Sequence, residues 1–154
     1  MNKAERILTT IRIARLRKKR YKELFKGIYL WAGKVRNINI AKGNTVFCIV
    51  ENIEIMAEDI FNRLTEKNYL KNLRKEIFCR EVSELFGDLN MLHPFREGNG
   101  RTEREFIYQL AKNAGYELDL TKLNKDEYMK AAILSVVDCS EMEKLMLSII
   151  KEKN

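Results

Sequence analysis

A chain of 154 residues with 45% hydrophobic and 33% charged residues has the size and composition of one folded domain, and its single proline and seven glycines exclude a disordered chain. No apolar stretch approaches the length of a membrane span, and we expect no signal peptide in the highly charged N-terminal segment. We therefore predict one domain over residues 1–154, with a basic lead-in helix over about 1–20 and a core over about 21–150.

The formal net charge of +7 comes from the first quarter of the chain. Residues 1–36 hold 12 Lys and Arg residues against 2 acidic ones. A basic segment can bind nucleic acid or an acidic partner. Aromatic residues such as Tyr21 and Phe25 are thinly interleaved with these charges. A solvated helix face is therefore the favoured interpretation, with nucleic-acid binding as the alternative.

The cysteine content indicates the redox environment. Cys48, Cys79 and Cys139 are odd in number, widely separated and without the paired spacing of a zinc site. They predict reduced thiols in a cytoplasmic protein.

The first third of the chain predicts a helix followed by a hairpin. Apolar residues recur at helical spacing from Glu5 to about Ala32, and Gly33 is expected to end that helix. Apolar and polar residues then alternate over 35–40, residues 41–44 supply a turn, and 45–50 favour a strand. An isolated hairpin is marginally stable, so we expect it to pack against the helical body.

The remainder of the chain predicts helices. The apolar periodicity indicates helices over Asn52–Glu66 and Leu73–Leu92, and a third that begins near Arg101 and ends at Gly115. A final pair is predicted at about Lys125–Val137 and Ser140–Lys151. The predicted fold class is all-α, a helical bundle with one short β-hairpin.

Chemistry is concentrated in residues 93–104. Gly98-Asn99-Gly100 leads into a helix start, where unbonded N–H groups and close backbone approach form a cradle for phosphate. Arg101 and Arg104 lie three apart and suit the outer phosphates of a nucleotide. Glu97 is placed to hold Mg²⁺ beside phosphate oxygens. His93 titrates near neutrality and is the candidate general base for a hydroxyl nucleophile.

Each of these features also has a structural interpretation. A single histidine before proline is typical of a helix end, Gly-x-Gly of a turn, and Arg and Glu three residues apart of a surface pair. The occurrence of all of them within twelve residues favours the functional interpretation.

Residues 93–104 also resemble the signature of the Fic family (filamentation induced by cAMP), His-Pro-Phe-x-(Asp/Glu)-Gly-Asn-Gly-Arg-x-x-Arg, at every specified position. The resemblance extends over about residues 20–150. Four further segments are similar to the family: Leu24-Phe25 with Tyr29–Arg36, Asn39–Asn44, Leu89-Asn90 and Ala114–Tyr116.

The resemblance implies a Fic-type helical bundle that transfers AMP from ATP, with Mg²⁺, to a Ser, Thr or Tyr hydroxyl of a target protein. By this resemblance His93 is the base, Glu97 holds the metal and Phe95 anchors the loop in the core. The implied ATP-binding residues are Lys42, Asn90, Met91, Leu92, His93, Gly98, Asn99, Gly100, Arg101, Thr102, Glu103 and Arg104. The implied flap that docks the target as an added strand comprises Ile38, Asn39, Ile40, Thr45, Val46 and Phe47.

The resemblance also bears on regulation. Many Fic proteins carry an inhibitory helix with (Ser/Thr)-x-x-x-Glu-(Gly/Asn), whose glutamate pairs with the second arginine of the motif. The nearest match here is Ser148 to Glu152, followed by Lys153, which we interpret as the outer face of the last helix. We therefore expect Arg104 to be unrestrained within this chain, with inhibition absent or supplied in trans by a small antitoxin.

Other activities stay open at this point. A Doc-like kinase replaces the second glycine of Gly-Asn-Gly with lysine, and Gly100 argues against it. Transfer of UMP or phosphocholine uses a similar loop. A non-catalytic nucleic-acid-binding regulator is the alternative from another class, and the presence of both His93 and Glu97 argues against it.

Overall fold

The structure, a computed structural model, describes residues 34–152. The predicted lead-in helix, and the upstream part of the family resemblance over residues 20–33, lie outside the described residues. Across residues 34–152, no helix combines the length and the apolar character that crossing a bilayer requires. All three cysteines lie in this range and are free thiols.

Five α-helices form the described part of the chain, as the apolar periodicity predicts, with boundaries that differ by a few residues. They are α1 (Ile53–Glu66), α2 (Lys75–Leu92), α3 (Asn99–Ala114), α4 (Lys125–Leu134) and α5 (Ser140–Ile149). Short 3₁₀ turns occupy Val50–Asn52, Asn68–Leu70 and Leu120–Lys122. The fold class is confirmed as an all-α bundle with a hairpin.

Helix α2 is the centre of the bundle, and it packs against α1, α3 and α5. The apolar stripe that the sequence predicts on this helix is buried, and it comprises Phe78, Val82, Leu85, Leu89 and Leu92. At Gly87 a Cβ atom would lie 2.4 Å from the carbonyl oxygen of Ser135. Glycine is therefore required where the last turns of α2 meet the end of α4.

The hairpin is shorter than predicted. Strand β1 (Ala41–Lys42) pairs antiparallel with β2 (Thr45–Val46) around a turn in which Gly43 has a φ of 57°. The predicted first strand over 35–40 is wrong, because β1 lies within residues 41–44, which were predicted as the turn. The predicted second strand over 45–50 was too long, and the backbones of both predicted segments bond instead to the end of α2 and to Pro94. The N–H of Arg36 donates to the carbonyl of Pro94 (2.9 Å), and that of Cys48 to the carbonyl of Met91 (3.0 Å).

A second small sheet was not predicted. Strand β3 (Tyr116–Leu118) follows α3 and pairs antiparallel with β4 (Ile150–Glu152). The predicted extension of the last helix to Lys151 is therefore wrong, because the chain turns extended after Ile149 to bond with β3. The placement of Glu152 on the outer face of a helix is wrong for the same reason, since it pairs with Tyr116 in the sheet.

Candidate active site

His93 stands where α2 ends. Its N–H still donates to the carbonyl of Leu89 (3.1 Å), but its backbone is left-handed, with φ 42° and ψ 58°. Pro94 has no N–H and cannot continue a helix, so the chain leaves the helix axis at this point. The turn places the half-buried imidazole at the mouth of the loop that leads to α3.

Two contacts orient the imidazole ring. Its Nδ1 atom lies 3.1 Å from the carbonyl oxygen of Asn90. Because a carbonyl only accepts hydrogen bonds, Nδ1 carries the proton and Nε2 keeps its lone pair. The ring of Phe47 stacks on the imidazole, with centroids 3.8 Å apart and planes at 17°. The histidine is thus held in the tautomer that can accept a proton at Nε2.

The pKa of His93 lies below its ordinary value, chiefly because burial disfavours the imidazolium. The positive charges of Arg36 and Lys42 lower it further, while the Asn90 carbonyl and the carboxylate of Glu97 raise it. The ring is therefore neutral at physiological pH, as a general base must be.

The loop between His93 and α3 is closed by one amide side chain. Asn99 is buried, and its Oδ1 accepts from the N–H of Phe95 (2.9 Å) while its Nδ2 donates to the carbonyl of Phe95 (2.6 Å). The ring of Phe95 is buried beneath the loop. Asn99, predicted to bind phosphates, therefore also shapes the loop that precedes α3.

The predicted phosphate cradle is the first turn of α3. Gly98 precedes the helix with a φ of 87°, a conformation that glycine adopts readily. Its carbonyl accepts from the N–H of Thr102 (3.0 Å) and the Thr102 hydroxyl (3.1 Å). The N–H groups of Asn99 and Gly100 precede the first intrahelical hydrogen bond, so they point out of the helix end with its partial positive charge.

The charged residues of the motif separate into exposed and buried groups. Glu97, Arg101 and Arg104 are exposed around the helix end. Arg104 lies over the ring of Tyr128, with 5.4 Å from Cζ to the centroid, and its Nη1 lies 3.5 Å from the tyrosine hydroxyl. This aromatic contact steadies the guanidinium.

Glu103 points the other way. It is 6% exposed, on the core face of α3, and its Oε1 has no hydrogen-bond partner among residues 34–152. Burial raises the pKa of this carboxyl from 4.5 to about 7, against the lowering effect of Arg104. Its predicted contact with ATP stays a prediction, and its side chain faces the protein interior.

The end of α2 carries the other predicted nucleotide contacts, and their polar groups bond within the protein. Asn90 donates from Nδ2 to the carbonyl of Ala132 (2.7 Å), which ties α2 to α4. Met91 is half-buried, and Leu92 is buried.

The flap covers His93 with one residue and exposes others. Phe47 is buried against the imidazole, whereas Val46 is 64% exposed and Ile38 is 46% exposed. Lys42 is exposed, and its charge acts on His93. Of the predicted docking residues, Val46 and Ile38 therefore present apolar side chains at the surface, and Phe47 does not.

Sequence reasoning missed Arg36, which is 3% exposed and donates to four carbonyl groups around the site. The alternation over 35–40 gave no signal for it, because the pattern places Arg36 at a polar, solvent-facing position, whereas Val35 is 46% exposed and Arg36 is buried.

The fold and site together define a class of protein: a helical domain in which a hairpin flap covers a histidine beside a glycine-bounded helix N-terminus. The family model for the Fic/DOC family matches residues 12–111. The chain belongs to the Fic/DOC family.

Two curated relatives and one solved structure illustrate the similarity. The chain is 42% identical over 125 residues to protein adenylyltransferase VbhT of Bartonella schoenbuchensis. This match covers 81% of this chain and 26% of VbhT. It is 38% identical over 138 residues to a protein adenylyltransferase of Bartonella henselae, which covers 80% of this chain and 25% of that protein. The chain thus spans about a quarter of the length of these relatives.

The solved structure is the ADP-bound N-terminal Fic domain of a VirB-translocated Bep effector from Bartonella quintana. It is 26% identical, with a TM-score of 0.78, and the match covers 99% of this chain and 86% of that domain.

Proposed function

We propose that this chain transfers AMP from ATP to a hydroxyl group of a target protein and releases pyrophosphate. The observation that carries the proposal is the orientation of His93, whose Nδ1 is engaged by the Asn90 carbonyl so that Nε2 can accept a proton beside the start of α3. The activity named for VbhT and the ADP bound in the Bartonella quintana domain support it.

In the proposed reaction, the hydroxyl oxygen of the target attacks the α-phosphorus of ATP. Nε2 of His93 accepts the hydroxyl proton. The bond between the α-phosphorus and the oxygen that bridges to the β-phosphorus breaks, and pyrophosphate leaves. The lowered pKa of His93 keeps the base unprotonated at neutral pH, so the proton has a place to go.

The nucleotide phosphates bind at the start of α3. The N–H groups of Asn99 and Gly100 point toward the α- and β-phosphates, and glycine at position 100 leaves room for close approach. Arg101 and Arg104 pair with the β- and γ-phosphates and stabilise the charge that develops on pyrophosphate.

The candidate Mg²⁺ ligand is Glu97. Among residues 34–152, no three His, Cys, Asp or Glu side chains gather into a metal-binding group. A single exposed carboxylate beside a phosphate cradle fits Mg²⁺, which binds through one or two carboxylates, substrate phosphates and water. When bound, the metal neutralises phosphate charge.

The target segment docks on the flap. The exposed backbone beside β1 and β2 can accept an extended segment as an added strand, and Val46 and Ile38 offer apolar side chains to it. Phe47 keeps the imidazole covered from the same side.

Inhibition, where it exists, comes from a partner in trans. Glu152 lies in β4, which pairs with β3 at the C-terminal end of α3, whereas Arg104 lies in its first turns. At a rise of 1.5 Å per residue the two regions are roughly 15 Å apart along the helix. Glu152→Gly should therefore transfer AMP as fast as the wild type, and strong activation by that change would contradict this part of the proposal.

The experiment that tests the function uses the purified chain with Mg²⁺ and ATP labelled separately at the α- and γ-phosphate, alone and with cell lysate. We expect label from the α-phosphate on protein, lost in His93→Ala while ATP binding is kept, because the base acts in the step and not in binding.

The other outcomes of this experiment separate the alternatives. Label from the γ-phosphate alone would make the chain a kinase. Protein-bound α-label that survives in His93→Ala would remove His93 from its role. If no label is transferred from ATP, the same assay with UTP and CTP tests transfer of another nucleotide.

A further inference from the structure

We propose that Arg36 is the positioning residue for His93. Its buried guanidinium joins the backbone turn at Leu92–Pro94, which we call the catalytic turn, to the flap that covers His93. The inference deepens the proposed function and rests on it, since the placement of His93 matters for transfer only if His93 is the base.

On the catalytic side, Arg36 binds three consecutive carbonyl groups. Its backbone N–H donates to Pro94 (2.9 Å), its Nε to His93 (2.8 Å) and its Nη2 to Leu92 (3.5 Å). These carbonyls span the point where α2 stops and the backbone turns left-handed. A residue other than glycine keeps a left-handed backbone only when several contacts with its surroundings hold it there, and Arg36 supplies three of those contacts.

On the flap side, the same guanidinium holds both flanks of the hairpin. Nη1 donates to the carbonyl of Ile38 (2.8 Å), and Nη2 donates to the carbonyl of Cys48. The N–H of Cys48 bonds to Met91, and the preceding residue, Phe47, stacks on the imidazole. A shift of Arg36 would therefore move the histidine backbone and the ring packed on it together.

The position requires arginine rather than a general cation. The guanidinium presents five N–H donors in a rigid plane, and four of them reach carbonyls here. The side chain is 3% exposed, and among residues 34–152 none of the ion pairs involves it. Its charge is compensated by carbonyl dipoles, which a lysine ammonium could not span.

Arg36 also acts on His93 through its charge. Burial is the main cause of the lowered pKa of His93, and the charges of Arg36 and Lys42 add to it, while the Asn90 carbonyl and Glu97 oppose it. His93 is the one histidine of the chain, so its ring resonances can be followed by NMR without ambiguity.

The test compares Arg36→Lys, which keeps the charge and loses the planar fork, with Arg36→Met, which loses both. In both variants we expect kcat for transfer of α-label to fall by on the order of ten- to hundredfold while the KM for ATP stays within about twofold, because a small displacement of the base affects the step more than binding. The His93 resonances should shift in both, and the pKa of His93 should rise in Arg36→Met. The matched control, Arg80→Lys, changes an exposed arginine on α2 and should leave every readout unchanged.

A folded Arg36→Lys with wild-type kcat and unchanged His93 resonances would overturn the proposal, and so would equal changes in kcat and KM without a shift of those resonances. If both variants fail to fold, the wild-type chain decides, since a held guanidinium shows a slowly exchanging Arg36 Nε–H and fast exchange would overturn it. If the wild type transfers no label, the resonance shifts still report positioning, so failure of the proposed function is distinguishable.

Discussion

Arg36 and Glu103 are two buried charged side chains near the candidate active site, and they differ in their hydrogen bonding. The Arg36 side chain donates to four backbone carbonyls at the root of the flap, whereas Glu103 on the core face of α3 leaves Oε1 without a hydrogen-bond partner among residues 34–152. Both are about equally hidden from solvent, at 3% and 6% exposure. The difference lies in hydrogen bonding and not in burial.

The comparison shows what a buried charge can do in this fold. A buried polar group that is fully paired specifies one geometry, while an unpaired one carries its desolvation cost and shifts its pKa toward the neutral form. Arg36 thus stays charged and holds the backbone of the turn at Leu92–Pro94, and Glu103 gains a proton near neutral pH.

We expect the greatest loss of stability from removing Arg36, the charge that is hydrogen-bonded to backbone carbonyls. Arg36→Met leaves four buried or half-buried carbonyls to find new donors, so we expect a loss of at least about 3 kcal/mol in the free energy of unfolding, measured by urea denaturation. Arg80→Met, at an exposed site, serves as the control. A loss below about 1 kcal/mol would show that the hydrogen bonds of Arg36 contribute little, as is usual for surface positions.

The second prediction concerns Glu103, whose contribution to the free energy of unfolding depends on pH. In the folded chain the pKa of Glu103 is raised from its ordinary value of 4.5 to about 7. Between these two pH values the folded state therefore keeps a proton that the unfolded state has lost. The contribution of Glu103 to the free energy of unfolding is therefore fully present below pH 4.5 and falls by up to roughly 3 kcal/mol as the pH rises through 7. Glu103→Gln should remove that fall and be more stable than the wild type at pH 8.

Denaturation at pH 5 and pH 8 measures this difference. Glu84→Gln, an exposed carboxyl on α2, should keep the wild-type dependence on pH. The same slope in Glu103→Gln and wild type would mean that Glu103 is ionised at no cost in the folded chain.

Asn99 is a buried neutral side chain whose amide bonds to the backbone of Phe95, and we expect a smaller effect from removing it. Asn99→Ala removes both hydrogen bonds to the backbone of Phe95, which should cost about 1–3 kcal/mol and slow transfer of α-label, because the loop before α3 loses its closure. Asn99→Asp keeps an acceptor for the Phe95 N–H and should lose less stability than Asn99→Ala. Equal losses would indicate that the donor Nδ2 alone matters.

The smallest expected change in stability comes from the backbone. Gly98 and Gly115 bound α3 with φ of 87° and 92°, and neither has an atom within 4 Å of the position a Cβ would take. Alanine at either site should cost about 1–2 kcal/mol from strain alone. Only Gly98→Ala should also raise the KM for ATP, so the Gly115→Ala variant separates strain from loss of the phosphate cradle. Equal KM values would argue against a cradle at Gly98.

Much of the site could be predicted because it is local in sequence. The residues of the motif are adjacent, and the helix start at Asn99, the glycines around it and the αL turn before Pro94 follow from short-range conformational preferences. The helices were predicted from periodicity, and their boundaries shifted by only a few residues. The roles of the predicted nucleotide, metal and docking residues stay predictions.

The errors concern contacts between distant segments. The β3–β4 pairing joins residues more than thirty positions apart, without a hairpin turn to announce it. Arg36 and Cys48, at the two ends of the predicted hairpin, instead bond to Pro94 and to Met91 at the end of α2. Local propensity does not record which distant backbone groups will be available to satisfy an N–H or a carbonyl.

The sequence alone predicted the helical class, the apolar stripe of α2 and the motif of residues 93–104, because helical periodicity and turn chemistry act over a few residues. The fold was needed to show that Arg36 faces inward, that Phe47 covers His93 and that Glu152 lies far from Arg104. It was also needed to show that Oε1 of Glu103 is buried without a hydrogen-bond partner among residues 34–152. Each of these features depends on contacts between segments that are far apart in the sequence, because such contacts determine which side chains are buried and which groups form hydrogen bonds.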